Sequence, residues 1–247
     1  MSAPSSAPMV LSRLDCSHCA VREHCIPAAV NVKGPDPFEE IVSMRYRLHR
    51  DEALFRAGDK FKALYSIRLG FLKSTVSARA DVSQVINFHM AGEIIGLDGI
   101  ANDIHAVSVI ALEDTEVCVI PYSSIVALEL RQPEYLRYIQ KLLSREIVRQ
   151  HGLDLLLGSM RAEERIAAFL LNLSQRFESR GYSKSEFVLR MTRASIGSYL
   201  GLKLETVSRI FSRFASENLI AVNQKHVHIL DFAGLKKIVS GMDKKAS

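Results

Sequence analysis

Three of the chain's four cysteines lie within ten residues of one another. They form a Cys-x2-Cys-x5-Cys string at Cys16, Cys19 and Cys25, and the fourth, Cys118, lies far along the chain. Three thiolates spaced in this way, with a fourth supplied by folding, can surround a metal ion or an iron–sulfur cluster. The spacing fits tetrahedral zinc and an iron–sulfur cluster equally well, and buried thiols without a ligand are the plain alternative. The sequence therefore predicts a four-thiolate site without fixing its occupant.

A second set of residues has the chemistry to read DNA bases. The segment 193–214 has the layout of a helix-turn-helix, with a turn at Gly201. An arginine can bond to O6 and N7 of guanine, and a carboxylate can accept a hydrogen bond from N4 of cytosine. Residues of these types recur at spacings of three and four on the outer face of the second helix: Glu205, Ser208, Arg209 and Ser212. The flanking cations that we expect to contact phosphates are Arg193, Lys203 and Arg213.

The charge of the chain is concentrated around this second set. The whole sequence carries a net charge of +5, from 32 Lys and Arg against 27 Asp and Glu. Residues 160–247 contain 15 Lys and Arg against 8 Asp and Glu, a net of +7, and the remainder has a net of −2. A local surplus of positive charge favours a polyanionic partner. We therefore expect this third of the chain to bind double-stranded DNA.

The elements that must position the thiols are predicted from short apolar runs. Seven such runs, separated by turns that often contain glycine, occupy residues 53–55, 64–67, 71–72, 85–88, 94–95, 107–110 and 117–120. Short strands at this spacing are typical of an all-β sandwich or barrel. The pattern predicts a cysteine-bearing N-terminal arm over residues 1–37, followed by a β domain over residues 38–125.

A long helix is predicted within residues 126–158, where the spacing of apolar residues changes to three and four. Its stripe, about 25 residues long, consists of Leu136, Ile139, Leu143, Ile147, Gln150, Asp154 and Leu157. A single stripe of this length favours pairing with a second copy of the same helix. Two alternatives stay open: the helix packs along its own β domain, or a small change of phase puts Leu153 inward in place of Asp154.

Residues 160–247 are predicted to form a helix over 162–175, the helix-turn-helix, a hairpin around residues 223–225, and a frayed basic tail from Lys236. The fold class is therefore α+β. The sequence has no Gly-rich phosphate loop and no Ser/His/Asp arrangement, so we do not expect an enzyme. No apolar run approaches the eighteen or more residues of a membrane-spanning helix. The N-terminus has neither a basic start nor an apolar stretch, so we expect a cytoplasmic protein that does not contact a membrane.

This order of parts resembles the CRP/FNR family of transcription regulators over residues 15–230. The cysteine string ending in Cys25-Ile-Pro, the lone Cys118, and the sequence Glu205-Thr-Val-Ser-Arg209 resemble the FNR branch. The resemblance implies a β-roll of the cyclic-nucleotide-binding type (a double-stranded β-helix), a dimerisation helix and a C-terminal winged helix-turn-helix over 160–247.

The same resemblance implies a cofactor, a response and partners. A [4Fe-4S] cluster would be held by Cys16, Cys19, Cys25 and Cys118, and its loss to oxygen would end dimerisation and DNA binding. Glu205, Ser208 and Arg209 fall on the base-reading positions, which implies a palindrome of TTGAT-type half-sites. Their centres would lie about one helical turn apart, roughly 34–36 Å. The implied partners are DNA, a second copy of the chain and RNA polymerase.

Two other kinds of regulator share parts of this pattern. Cyclic-nucleotide sensors of the family hold the phosphate with an Arg-Ser pair, whereas this chain has no Lys or Arg between Arg79 and Arg131 and eight acidic residues there. A buried phosphate would lack its usual cationic partner. We therefore expect no cyclic nucleotide. A zinc-stapled, constitutive DNA-binding protein is the remaining alternative.

Overall fold

Twelve strands and six α-helices are formed by the residues that the computed structural model describes, which are 9–11, 16, 19–22, 25, 41–79, 82–131 and 134–241. They belong to two compact units, Met1–Ile147 and Val148–Ser247. The division falls inside the longest helix. None of the described helices has the length and the apolar character needed to cross a membrane.

The first unit is built on two antiparallel sheets. The strands of the larger sheet are β1 (Met9–Leu11), β2 (Met44–Leu48), β4 (Ala63–Leu69), β7 (Ile94–Ile95) and β9 (Thr115–Pro121). Their order is β1-β2-β9-β4-β7. The strands of the second sheet, in the order β3-β8-β5-β6, are β3 (Ala53–Phe55), β5 (Phe71–Arg79), β6 (Val82–Met90) and β8 (Ser108–Ala111). Each of the seven predicted runs falls on a strand, so the prediction of a β-roll is confirmed.

Strand β2 lies outside the predicted runs. Its apolar residues Met44, Tyr46 and Leu48 alternate with Arg45 and Arg47. This alternation is the pattern of a half-buried strand, so the signal for β2 was present in the sequence. The strand matters for the site because it pairs with β9 along its whole length.

Two helices follow the β-roll: α1 (Tyr122–Arg131) and α2 (Glu134–Ser159). The predicted long helix is confirmed as α2, which has 26 residues. The separate helix α1 was not predicted; it ends at Arg131, and α2 begins at Glu134.

The first half of α2 packs on its own β-roll. Tyr138 and Ile139 are buried in one core cluster with Leu64 and Cys118, and Leu143 packs against that cluster. For Ile139 and Leu143 this corrects the predicted dimer stripe. The protomer's own core covers Ile139 and partly covers Leu143, which was the alternative arrangement of the helix.

The second unit contains four helices and three strands. They are α3 (Ala162–Glu178), β10 (Glu186–Val188), α4 (Arg193–Leu200), α5 (Leu204–Ser216), β11 (Ile220–Asn223), β12 (His226–Ile229) and α6 (Phe232–Val239). The strands form a sheet in the order β10-β12-β11 beside the helix-turn-helix α4–α5. The predicted winged helix-turn-helix is thereby confirmed.

Helix α6 replaces the first part of the predicted frayed tail. The Asp231 carboxylate accepts a hydrogen bond from the Gly234 N–H at 2.9 Å and so caps the helix N-terminus. Leu235 is fully buried, which anchors the helix to the unit. The Asp231 cap and the buried Leu235 explain why a helix forms here, where composition alone had predicted a basic tail.

Gly70 and Gly58 provide a test of packing in the β-roll. Both have a positive φ, 95° and 93°, but a Cβ at Gly70 would lie 2.4 Å from Thr115 Oγ1, whereas a Cβ at Gly58 would meet nothing within 4 Å. We expect Gly58→Ala to cost about 1–2 kcal/mol of unfolding free energy through the left-handed backbone alone. Gly70→Ala should cost about 1–3 kcal/mol more because of the clash. Denaturant unfolding of the two variants measures the difference, and equal losses would contradict the packing described here.

Candidate metal centre and nucleic-acid interface

Cys118 lies in the middle of the larger sheet. Strand β9 is paired on one side with β2, where Arg45 is opposite Cys118, and on the other side with β4, where Ser66 is opposite Cys118. Cys118 is 8% exposed and Ser66 is 1% exposed. The fold thus holds one thiol at a fixed, buried position.

The arm brings the other three cysteines to this position. Backbone hydrogen bonds that each span three residues wind it into turns, from Cys19 to Cys16, from Arg22 to Cys19 and from Cys25 to Arg22. Cys16 and Cys25 are buried together, and Cys25 Sγ lies 3.1 Å from Ser66 Oγ, in hydrogen-bond contact. Since Ser66 is also the strand neighbour of Cys118, the arm and β9 meet at one place.

Electrostatic coupling shows the same convergence. Burial, followed by the neighbouring Cys25, raises the pKa of Cys118 to about 12, with Cys16 and Cys19 adding to the increase and Arg45 opposing it. Without a bound cation this thiol is therefore protonated at neutral pH. A metal ion or cluster would replace the proton, because thiolate is the ligand form.

Charged groups border the thiols on the strand side. Glu116 accepts a hydrogen bond from Arg68 at 2.7 Å and lies 3.7 Å from Arg45. Burial would lower the pKa of Arg68, but Glu116, and then Cys19, raise it above the usual value. One carboxylate thus holds two guanidinium groups beside the cysteines. Such cations stabilise the negative charge that thiolate ligands bring into a partly buried site.

The donor set fits both groups that the sequence allowed. None of the four cysteines is in a disulfide, and three of them are buried. Among the described residues, no three Cys, His, Asp or Glu side chains already surround a point where a single metal ion would sit. Four converging thiols are the ligand set that structural zinc and iron–sulfur clusters share. The arrangement is compatible with these four cysteines as ligands and does not distinguish zinc from an iron–sulfur cluster.

The loop that follows β7 is occupied by the chain's own side chains. Asp98 accepts hydrogen bonds from the backbone N–H groups of Ala106 at 2.8 Å and Val107 at 3.3 Å. His105 is 2% exposed, its ring stacks on Phe55 with centroids 3.6 Å apart, and its Nδ1 is 3.5 Å from the Asp98 carboxylate. Burial would raise the pKa of Asp98, but His105 and the two N–H groups outweigh it and hold the pKa below the usual value. An anion entering this loop would meet a carboxylate that already uses the nearby donors.

In the second unit, α4 and α5 form the expected helix-turn-helix. Thr192 caps α4 by accepting a hydrogen bond from Ser195 N at 3.0 Å. Gly201 ends α4 in the left-handed conformation with φ 64°. A Cβ at Gly197 would lie 2.5 Å from the Leu202 carbonyl oxygen, so the turn packs too closely for a larger residue. The two glycines thus fix the angle between the helices.

Helix α5 divides into a buried and an exposed face. The buried face consists of Val207, Ile210, Phe211 and Phe214. The exposed side chains include the four predicted base-reading residues Glu205, Ser208, Arg209 and Ser212. The structure therefore brings these four residues to one solvent-facing side near the start and middle of the helix, where recognition helices contact bases.

The three flanking cations differ in their surroundings. Arg193 lies with its Cζ 3.3 Å from the Phe211 ring centroid, and its buried Nη1 has no hydrogen-bond partner within the described part of the chain. Burial lowers the pKa of Arg193 to about 10, so the group stays charged at neutral pH. Lys203 is exposed at the N-terminus of α5. Arg213 is paired with Glu163 at 2.5 Å and Glu217 at 2.7 Å, so its guanidinium is already engaged by two carboxylates.

An apolar stripe remains exposed along α2. Its members are Leu136 (45% exposed), Ile147 (56%), Val148 (66%) and Leu155 (63%). Of the other predicted stripe residues, Gln150 and Asp154 are exposed and hydrogen-bonded to each other at 3.3 Å, and Leu157 is half-buried. Leu153, the residue of the alternative phase, is 8% exposed and is therefore covered by the protomer's own residues. Exposed apolar surface of this kind indicates a contact with another protein surface.

A β-roll with gathered thiols and a winged helix-turn-helix with an exposed polar reading face define a DNA-binding regulator with a sensor domain. Family models agree for both parts: residues 45–131 match the cyclic nucleotide-binding domain, and residues 164–238 match the Crp-like helix-turn-helix domain.

Relatives match nearly the whole chain. The transcriptional regulatory protein btr of Bordetella pertussis is 43% identical over 94% of this chain and 96% of its own length. The fumarate and nitrate reduction regulatory protein of Vibrio cholerae is 39% identical over 94% of this chain and 93% of its own. The solved structure of FixK2 from Bradyrhizobium japonicum has a TM-score of 0.73 at 26% identity, covering 78% of this chain and 96% of FixK2. The chain belongs to the CRP/FNR family of transcription regulators, and it is not an enzyme.

The contact of the partly exposed Asp98 with the buried His105 predicts a pH-dependent contribution to stability. Because the folded pKa of Asp98 lies below its unfolded value, the contribution is present above the unfolded pKa of about 3.9 and is lost as the pH falls through the folded pKa. We expect Asp98→Asn to lower the unfolding free energy by about 1–3 kcal/mol at pH 7. Denaturant titrations from pH 7 down to pH 3.5 should show the gap between wild type and variant narrowing at the acid end. A gap that does not change with pH would contradict the lowered pKa of Asp98.

Proposed function

We propose that this regulator responds to oxygen through a [4Fe-4S] cluster held by Cys16, Cys19, Cys25 and Cys118. The observation that carries the proposal is the meeting of the arm cysteines with Cys118 on β9, two segments distant in the sequence. The relatives named for fumarate and nitrate reduction, and the Anr activator of Pseudomonas aeruginosa (41% identical), support an anaerobic role. Bound on these thiolates, the cluster would supply a reaction with oxygen that the protein's own side chains lack.

The residues around the thiols connect the site to α2. Cys118 shares its core cluster with Tyr138 and Ile139, both on α2. Burial, and then the neighbouring Cys25, raises the pKa of Tyr138 to about 12, so this ring also faces the arm. Movement of the arm away from β4 and β9 would remove packing from Tyr138 and change the position of α2. Coupling of this kind requires a packed element with two arrangements, each favoured by one state of the site.

Helix α2 is the proposed dimer contact. The exposed stripe of Leu136, Ile147, Val148 and Leu155 is the surface that a second copy would bury. Asp154 would bring its carboxylate close to the contact, which weakens it by charge repulsion. A weak contact suits a dimer that forms only when the sensor favours it.

The dimer is proposed to bind a palindrome of TTGAT-type half-sites. Glu205 and Arg209 have the chemistry to read a G·C pair, and Ser208 can bond to either kind of base. Lys203, which is exposed at the N-terminus of α5, and Arg193, which packs against Phe211 with its Nη1 buried, are the proposed phosphate contacts. Arg213 is the weaker candidate because two carboxylates already bind it. RNA polymerase is the proposed partner in activation, with no contact surface assigned.

Cyclic nucleotides are not proposed as effectors, although the β-roll matches their binding domain. Asp98 and His105 fill the loop that follows β7, and the sequence has no Lys or Arg between Arg79 and Arg131 to bind a phosphate. Zinc on the same four thiolates, in a constitutive DNA-binding protein, is the alternative that the next experiment separates from the proposal.

Protein purified without oxygen should be coloured, contain about four irons per chain, and behave as a dimer that binds DNA. Air should remove the colour and the DNA binding together. Cys118→Ala should abolish both because one ligand of four is lost, whereas Val119→Ala, a neighbouring buried change, should keep both. Iron and zinc analysis, absorption spectra and analytical ultracentrifugation before and after air measure these outcomes. Colourless, zinc-containing protein that binds DNA equally in air would establish the zinc alternative instead.

Two arginine substitutions should separate base reading from phosphate contact. Arg209→Ala should weaken binding to a TTGAT palindrome by about 1–3 kcal/mol and relax the preference for the G·C pair. Arg193→Gln should weaken binding to all sequences alike and reduce the slope of log affinity against log salt by about 1. Titrations on matched and G·C-substituted sites at several salt concentrations distinguish them. A loss of sequence preference in Arg193→Gln, or its retention in Arg209→Ala, would reverse the assigned roles.

A further inference from the structure

We propose that Arg165 sets the spacing between the two recognition helices of the dimer by locking the helix-turn-helix to the end of α2. This inference rests on the proposed DNA-binding dimer. Arg165 lies in the first turn of α3. Its Nε donates to the Met160 carbonyl at 2.9 Å, its Nη1 to the Leu200 carbonyl at 2.9 Å, and its Nη2 to the Leu157 carbonyl at 2.7 Å.

The accepting carbonyls belong to two helix ends. Leu157 lies in the last turn of α2, and Leu200 is the last residue of α4. The final carbonyls of a helix have no partner within the helix and carry the negative end of its dipole. Neither α2 nor α4 has a basic residue in its last turn, so Arg165 supplies the cation for both. One guanidinium therefore caps two helices and joins them.

Gly201 leaves room for this contact. A Cβ at Gly201 would lie 3.3 Å from Arg165 Nη1 and 3.7 Å from Leu157 Cδ2. The same glycine has a φ of 64°, which ends α4 in a conformation that larger residues rarely adopt. The turn of the helix-turn-helix and the end of α2 are thus packed against one side chain.

The first turn of α3 also contacts the recognition helix. Glu163, two residues before Arg165, is paired with Arg213 of α5 at 2.5 Å. This single turn therefore binds the end of α2, the end of α4 and the outer side of α5. We define residues 163–165 as the joint.

The joint has a consequence for a two-fold dimer. If two copies associate through α2, the angle between α2 and the helix-turn-helix determines how far apart the two Arg209 side chains lie. The planar guanidinium bonds to carbonyls in fixed directions, whereas a lysine ammonium is a point charge that cannot hold three carbonyls in one geometry. Arg165 is thus a positioning residue that acts through the helices and does not touch DNA.

The test compares Arg165→Lys and Arg165→Gln with wild type and with Arg176→Gln, which removes a charge near the other end of α3. Each protein is titrated with a single half-site, with the palindrome, and with a palindrome lengthened by one base pair, which rotates one half-site by about a tenth of a turn. Wild type and Arg176→Gln should bind the palindrome of original spacing with an affinity about tenfold or more above that for the lengthened one. Both Arg165 variants should bind the two palindromes within about threefold and keep the wild-type affinity for the half-site.

Two results would overturn the inference. One is an Arg165→Gln protein that keeps the wild-type spacing preference, and the other is an equal loss of affinity on the half-site and on the palindrome. Failure of the wild-type protein to prefer any palindrome would instead count against the proposed DNA-binding dimer.

Amide hydrogen exchange tests the joint without DNA. The Met160 N–H donates to Leu156 in the last turn of α2, and the Leu202 N–H donates to Gly197 at the turn after α4. Both amides should exchange about tenfold faster in Arg165→Gln, with core amides of α5 and the β-roll unchanged. Unchanged exchange at Met160 and Leu202 would refute the lock, and a global increase would show only a loss of stability.

Discussion

Burial of Cys118 between β2 and β4 is the constraint on which the sensing half of the chain depends. Burial at that position raises the pKa of the thiol, because the low-dielectric surroundings disfavour its charged form. The arm that carries the other three cysteines must come to the strand, since β9 is paired on both sides and cannot move toward the arm. The same core contains Tyr138 and Ile139. The chemistry at the thiols and the position of α2 are therefore linked by direct packing.

The β-roll shows how one fold serves different signals. Its match to the cyclic nucleotide-binding domain describes the strands and their order, whereas the loop after β7 contains Asp98 and His105 in mutual contact. The Asp98 carboxylate accepts hydrogen bonds from two backbone N–H groups, which are then not available to a phosphate. The proposed binding chemistry of this chain lies instead at the thiols beside β9. Function in this family is thus decided by the site and not by the architecture that carries it.

The features of this structure that local sequence patterns determine were predicted more completely than the features that depend on long-range contacts. The seven apolar runs became strands because alternation and glycine turns act over a few residues, and the two faces of α5 followed from helical spacing. The stripe of α2 was only partly predictable. Helical periodicity does not distinguish a residue that packs in the core of its own protomer from one that contacts a second copy of the chain, and Ile139 lies in the core. Arg213 was expected on phosphate, but it lies against Glu163, a residue 50 positions away that no local pattern connects to it. The contacts of Arg165 gave no sequence signal for the same reason.

Helix α2 contributes residues to both units, and its composition is compatible with the proposed switch between monomer and dimer. Its first half is fixed by Tyr138 and Ile139 in the core of the β-roll, and its last turn is capped by Arg165 within the second unit. Between these fixed ends lie the exposed Ile147, Val148 and Leu155, interrupted by the polar pair Gln150 and Asp154. With a continuous apolar stripe, two copies of α2 would associate in every state of the proposed sensor. With a wholly polar stripe, they would not associate in any state. In the proposed switch, an interrupted stripe would leave the two states close in free energy, so a few kcal/mol from the thiol site would be enough to choose between them.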